Sequence, residues 1–257
     1  MEQKLRKNLE LDVIPDVLIL PGVRSGRDPA RSIRRGPSRL PPEVVAATQR
    51  ERLLDGVVHT VAACGYAGAR VSDICQAAGV TRPVFYEQFS GKEEAFLAAH
   101  RHGCAVVIRR MEEAFAAQDD WCFGVHAALR VMLAILAEVP AFATMAVVEI
   151  EAVGPAGRLA REQLRVRLRR LFTGCPVPPP PGISSELLVD SVVGGAYSTV
   201  YRFIATGRQH ELPDLLPTLS YAAVAAFLGP EAAAAQVARA QEAGAGWRRP
   251  VLPCADS

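Results

Sequence analysis

Between residues 53 and 97 the apolar positions recur at helical spacing, in short runs cut by glycine and proline. Val71–Ala78 sets Ile74 and Ala78 four apart, on one face of a short helix. Gly79 suits the left-handed residue that ends a helix. A second run over 81–89 sets Phe85 and Phe89 four apart. That buries one face and leaves Arg82, Val84, Tyr86 and Gln88 looking outward. Thr81 is placed to cap this helix, and Pro83 falls in its first turn, where proline is tolerated. Ala77 is small enough for the two helices to cross closely. Ser90 followed by Glu93 reads as a capping box for a third helix that starts at Gly91 and runs past Arg110. Two short helices joined by a glycine-containing turn form the pattern of a helix-turn-helix DNA reader.

The pattern on either side is also helical. A helix over 42–64 starts with Pro42 in its first turn, carries Leu54, Val58 and Val61 as its core stripe, and ends at Gly65. From Trp121 onward every strong segment reads as helix: 123–139, then 141–153 apolar almost all round and therefore buried, then a basic helix over 158–172. A Pro-rich loop at 176–181 precedes helices over 184–207 and 213–228. On the first of these, Ser191, Gly194, Gly195 and Ser198 form a strip of small residues. Glycine inside a helix costs about 1 kcal/mol relative to alanine, and close approach of another helix is a physical reason for it. Leu216, Leu219, Ala223 and Phe227 form one side of the next helix. The fold class is therefore all-α. We divide the chain into an arm (1–41), a helix-turn-helix domain (42–100), a helical domain (101–229) and a tail (230–257) that includes an Ala-rich helix candidate at 231–243.

Charge changes this picture in one respect. The net charge is only +2, and 43–101 holds six Lys and Arg against seven Asp and Glu. The reading head is not itself basic. The stretch 24–39 holds six Arg against one Asp, so the phosphate-seeking charge sits in the arm, which reads as mostly disordered. Arg34, Arg35 and Arg39 are the arm's candidate DNA contacts. The six Arg of 158–172 read as a solvated face, with a second nucleic-acid patch as the alternative.

Other chemistries find little support. Six cysteines show no C-x-x-C pair and read as small thiols in a reducing cytoplasm, with Cys64 and Cys75 the pair that a redox switch would use. Residues 11–20 are apolar but broken by Asp12, Pro15 and Asp16, so no signal peptide is expected. The best candidate membrane span, 125–150, is interrupted by Arg130, Glu138 and Pro140, so no membrane partner is expected. His59, His100, His102, His126 and His210 make no metal-ligand pattern. Glu149 and Glu151 diverge on a helix. No enzyme activity, metal or cofactor is expected.

The segment 43–100 resembles the DNA-binding domain of the tetracycline-repressor (TetR) family of bacterial regulators. The resemblance rests on Gly65 and Tyr66; on Val71, Ser72, Asp73 and Ile74; on Ala78, Gly79 and Val80; on Phe85 through Phe89; and on Lys92, Glu93 and Glu94. Residues 121–229 resemble the family's ligand-binding and dimerisation domain more loosely. The resemblance implies a cytoplasmic homodimer that binds a near-palindromic operator on double-stranded DNA, as a repressor released by a small-molecule effector. A regulator without a small ligand, gated by a protein partner or constitutive, is the alternative.

Thr81, Arg82 and Val84 stand at the N-terminal end of the reading helix, where Arg82 suits a guanine edge and Val84 a thymine methyl. Tyr86 and Lys92 match the family's phosphate-contacting Tyr and Lys. Arg70 departs from the Thr or Ser that caps the first short helix, over 71–78, in many relatives, and is a candidate phosphate contact. Trp121, Phe123, His126, Met132, Phe142, Met145, Glu149 and Tyr197 are candidate pocket walls for an apolar or amphipathic effector. Ordinary core packing is the alternative for each. The small strip on 184–207 and its partner face on 213–228 are implied as the dimer interface, with packing inside one chain as the alternative.

Overall fold

Pro42 opens α1 (Pro42–Gly68) in the first turn, where its missing N–H is harmless. The computed structural model describes residues 19–25, 41–172, 174–179 and 181–244. Arg34, Arg35, Arg39 and Cys254 lie outside them. Among the described residues every regular element is helical. Leu53, Leu54, Val57, Val58 and Val61 form the buried stripe of α1. Gly65, with φ 72° and ψ 163°, leaves helical geometry, but a further turn carries α1 on to Gly68, beyond the end expected at Gly65.

The next three helices are α2 (Val71–Ala78), α3 (Arg82–Gln88) and α4 (Lys92–Ala116). Gly79 ends α2 in the left-handed region at φ 63°. The residue that lets helices cross closely is Gly56 of α1. A Cβ there would stand 2.8 Å from the Ile74 carbonyl and 3.0 Å from the Ala78 Cβ. Two expected caps shift. Thr81 makes no side-chain cap to α3. At α4 the cap position falls on Gly91, so Glu94 and not Glu93 reaches back, accepting from the Ser90 N–H at 2.7 Å and the Ser90 hydroxyl at 2.6 Å. These bonds hold the Glu94 carboxyl below the usual carboxylate range.

Asp120 caps α5 (Trp121–Glu138), accepting from the Cys122 and Phe123 N–H groups. This helix is long and apolar enough to cross a membrane by length and composition, but more than half of it is buried inside the protein. It packs along α4 and α9 (Leu216–Leu228). The stretch expected as one helix over 141–153 is not one. It runs as α6 (Pro140–Ala143), a π-helical turn (Thr144–Val148) and a 3₁₀ turn (Glu149–Val153). It is buried as expected, with Phe142, Ala143, Met145 and Ile150 all core residues.

Helix α7 (Pro155–Arg169) follows, then α8 (Ser185–Ala205), a 3₁₀ turn (Gln209–Leu215), α9 and α10 (Pro230–Gly244). Three of the five arginines of α7 are tied into ion pairs: Arg161 with Glu151, Arg165 with Glu162, and Arg169 with Asp190 and Glu186. One apolar core runs without interruption from α1 to α9.

Residues 19–25, expected to belong to an unstructured arm, are part of that core. Leu20 is 2% exposed, a burial that stabilises by about 1.5–3 kcal/mol. The cysteines form no disulfide among the described residues. Burial pushes the Cys104 thiol up to about 12 and Cys122 to about 11, which makes both unreactive. Cys75 is buried and shifted upward, while Cys64 is exposed.

Candidate nucleic-acid interface and ligand cavity

The reading helix α3 is seven residues long, too short to hold itself together in water. Phe85 anchors it, fully buried, with Phe89 at 5.8 Å and Tyr86 edge-on at 5.4 Å between ring centroids. Arg52 donates to the Gly79 carbonyl at 3.0 Å and so braces the turn between α2 and α3. Arg50 lies over the Phe89 ring. On the outer side Arg70, Thr81, Arg82 and Tyr86 are exposed and Val84 is half-buried. Tyr86, at 52% exposure, keeps its hydroxyl in solvent.

Lys92 differs from a free phosphate-seeking lysine. Its Nζ donates to the Tyr66 carbonyl at 2.7 Å and lies 4.4 Å from the centre of the Tyr66 ring. Half-buried, it fastens the start of α4 to the break in α1.

The second site is a cavity of about 500 Å³ in the helices after the reading head. Its walls are almost wholly apolar. Of the candidate pocket walls, Met132, Phe142 and Tyr197 line it. Trp121, Phe123, His126, Met145 and Glu149 do not. Trp121 stacks edge-on against Phe172 and Phe227. Phe123 lies beneath the Arg239 guanidinium, and His126 Nδ1 lies 3.0 Å from the Ser220 hydroxyl. Met145 is core. Glu149 turns to the reading head, where it accepts from the Tyr66 N–H at 2.7 Å. The wall that sequence reasoning missed is α4, which contributes Cys104, Val107, Ile108 and Met111.

The residues expected at a dimer interface divide. Ser191 and Gly195 are exposed, and both also line the cavity. Ser198 is exposed and Gly194 half-buried. Among the described residues a Cβ on Gly194 or Gly195 would meet nothing within 4 Å. Leu219 and Ala223 turn inward to the cavity, Leu216 packs on the core, and Phe227 stacks on Phe172. The exposed residues of α9 are Thr218, Tyr221 and Ala222, of which Thr218 and Ala222 also line the cavity.

Cavity and head are linked through short contacts. The Tyr197 hydroxyl donates to the Val147 carbonyl in the π-helical turn at 3.0 Å. Glu149, two residues on, holds the Tyr66 N–H, and the Tyr66 carbonyl holds Lys92. Burial pushes the Tyr197 phenol up to about 12, so it stays a neutral donor.

A helix-turn-helix head on a hollow all-α body defines a class of DNA-binding transcriptional regulators. Residues 53–99 match the family of bacterial regulatory proteins, tetR family. The match covers the reading head, and the fold as a whole is similar to solved structures of TetR-family regulators. The fatty acid degradation regulator FadR from Bacillus halodurans superposes with a TM-score of 0.62 at 17% identity, covering 71% of this chain and 95% of that one. FadR from Bacillus subtilis, solved in complex with stearoyl-CoA, gives 0.60 at 18% identity, covering 69% and 97%. The TetR-family regulator PfmR from Thermus thermophilus gives 0.53 at 18%, covering 70% and 96%. No curated protein sequence matches the chain.

Proposed function

We propose that the protein is a cytoplasmic, dimeric repressor that reads a near-palindromic operator and is released by an apolar or amphipathic effector. The observation that carries this reading is that one helix belongs to both sites. α4 begins at the reading head with Lys92 and lines the cavity with Cys104, Val107, Ile108 and Met111. An occupant that favours one setting of α4 shifts the population of head positions. The complex of Bacillus subtilis FadR with stearoyl-CoA supports a long apolar chain as the class of occupant. The exposed strip on α8 and the open space over Gly194 and Gly195 among the described residues support a second copy on that face. Two heads one DNA turn or more apart then require a two-fold operator. The arm residues Arg34, Arg35 and Arg39, with Arg70, Tyr86 and Lys92, supply backbone contacts in this reading.

Selection of duplexes by the full chain from a random library is the decisive experiment. An inverted repeat supports the reading; recovery of unrelated sequences overturns it. Arg82→Ala is expected to lose about 1–3 kcal/mol of discrimination at one base pair and little at the others. An unchanged base preference in the selected sites removes Arg82 as a reader.

The cavity makes its own prediction. Ala128 is buried and faces the void. Ala128→Phe fills part of about 500 Å³ without overpacking. It is expected to weaken binding of the neutral apolar dye Nile red by roughly tenfold, with DNA binding retained. Equal dye affinity in the variant places the dye site elsewhere.

A further inference from the structure

The segment 19–25 has no part in the cavity or in the outer face of the reading helix, yet it is bound at four points. The His102 ring on α4 lies 3.1 Å by its Nε2 from the Ile19 carbonyl. Leu20 is buried in the common core. The Gly22 N–H donates to the Asp55 carboxylate of α1 at 2.7 Å. The His59 ring, also on α1, lies 3.0 Å by its Nε2 from the Arg24 carbonyl. A carbonyl only accepts, so both rings donate from a protonated Nε2. The fit is close. A Cβ on Gly22 would stand 2.5 Å from Val58 of α1 and 3.7 Å from Val139, the residue before α6. The segment therefore touches the reading head through α1 and the connecting helix through His102, and Gly22 lies close to Val139 of the body.

We infer that residues 19–25 are a positioning strap for DNA reading. By tying α1 to α4 and to the end of α5, the strap narrows the range of angles the head takes on the body. In a dimer, that angle sets the distance between the two reading helices. The strap thus governs which spacing of operator half-sites is accepted, while the bases within each half-site are read by α3. This inference rests on the dimeric-regulator reading for its DNA consequence, and on the contacts alone for the clamp itself.

The test uses the full chain and two deletions. Removal of residues 2–18 leaves the strap and is the control; removal of residues 2–25 takes it away. Both keep all of α1 and residues 26–41, with five of the six arginines of the basic stretch; only the longer deletion removes Arg24. Each protein is assayed by band shift against inverted repeats of the selected half-site, with the spacer lengthened or shortened by one and two base pairs. The full chain and the control are expected to lose roughly tenfold in affinity for each wrong spacing, whereas the strapless protein loses no more than about twofold. Base preference within the half-site is expected to stay the same in all three. A merely structural strap would weaken every duplex equally.

Leu20→Asp, which expels the buried side chain, is expected to behave as the longer deletion, and Leu20→Met as the full chain. Amide exchange on the free proteins tests the clamp without DNA. Exchange across the end of α1 and the middle of α4 is expected to be at least about tenfold faster without the strap. Spacing preference as sharp in the strapless protein as in the full chain overturns the positioning role, and unchanged exchange overturns the clamp. A full chain that selects no inverted repeat overturns the regulator reading instead, and leaves the exchange result to decide the clamp.

Discussion

Phe85→Ala is expected to destabilise the reading head by about 3–5 kcal/mol and to abolish DNA binding, while Nile red still enters the cavity. The size of the effect follows from the helix it anchors. α3 has seven residues and no side-chain cap at Thr81, so its own backbone hydrogen bonds cannot hold it. Phe85 is fully buried and makes ring contacts with Phe89 and Tyr86. Removing the ring leaves a void beneath α3 and frees the helix that carries Arg82 and Val84. The neighbouring α4 is much longer, at 25 residues, and its cavity wall begins only at Cys104. Amide exchange should therefore rise first in α2 and α3, with residues after 104 protected as before. Loss of dye binding together with DNA binding would mean that head and body unfold as one unit.

How much of this could be read in the chain depended on the distance over which each feature is determined. The turn between α2 and α3 is local: Gly79, the Phe85 and Phe89 pair, and Pro83 lie within eleven positions, and all take the places expected of them. Caps are local too, but sensitive to a shift of one residue. Gly91 takes the cap position of α4, and the reciprocal bond passes from Glu93 to Glu94.

The pocket is a non-local property. Methionine at helical spacing does not say which side will face a void. Met132 lines the cavity, whereas Met145 on the distorted segment after α6 is core. Glu149 was a reasonable polar group for a pocket until the π-helical and 3₁₀ turns rotated it toward Tyr66. A regular helix over 141–153 cannot foresee that rotation, because the widened turn adds a residue to the repeat. The docking of residues 19–25 was the least legible feature. Its partners Asp55, His59 and His102 lie 33 to 83 positions away and have no pattern of their own.

Acid is expected to destabilise the protein as the pH falls below 6.5, because of a buried histidine where the two sites meet. His100 is 2% exposed on α4, beside the Cys104 sulfur and the backbone of Ala146 in the π-helical turn. Burial drives its pKa down from 6.5 to about 4. The folded state therefore holds the ring neutral where the unfolded chain would protonate it. The stabilisation is complete above pH 6.5 and is lost progressively as the pH falls toward 4. A shift of this size corresponds to about 3 kcal/mol, a large share of the stability of an ordinary domain. His126 is displaced downward as well, by burial and then by the neighbouring Arg130, and adds to the loss in the same direction.

Denaturant midpoints measured between pH 7 and 4 should fall steeply over that window in the native protein. In His100→Gln, which keeps a polar side chain but cannot take a proton, the fall should be much shallower, even if the variant is less stable at pH 7. Equal slopes in the two proteins would assign the acid sensitivity to other groups. The same geometry has a functional corollary. A charged His100 would sit desolvated beside Cys104 and Ala146, both of which line the cavity. Mild acid and a bound effector would then act on the same helix, the one that carries the reading head.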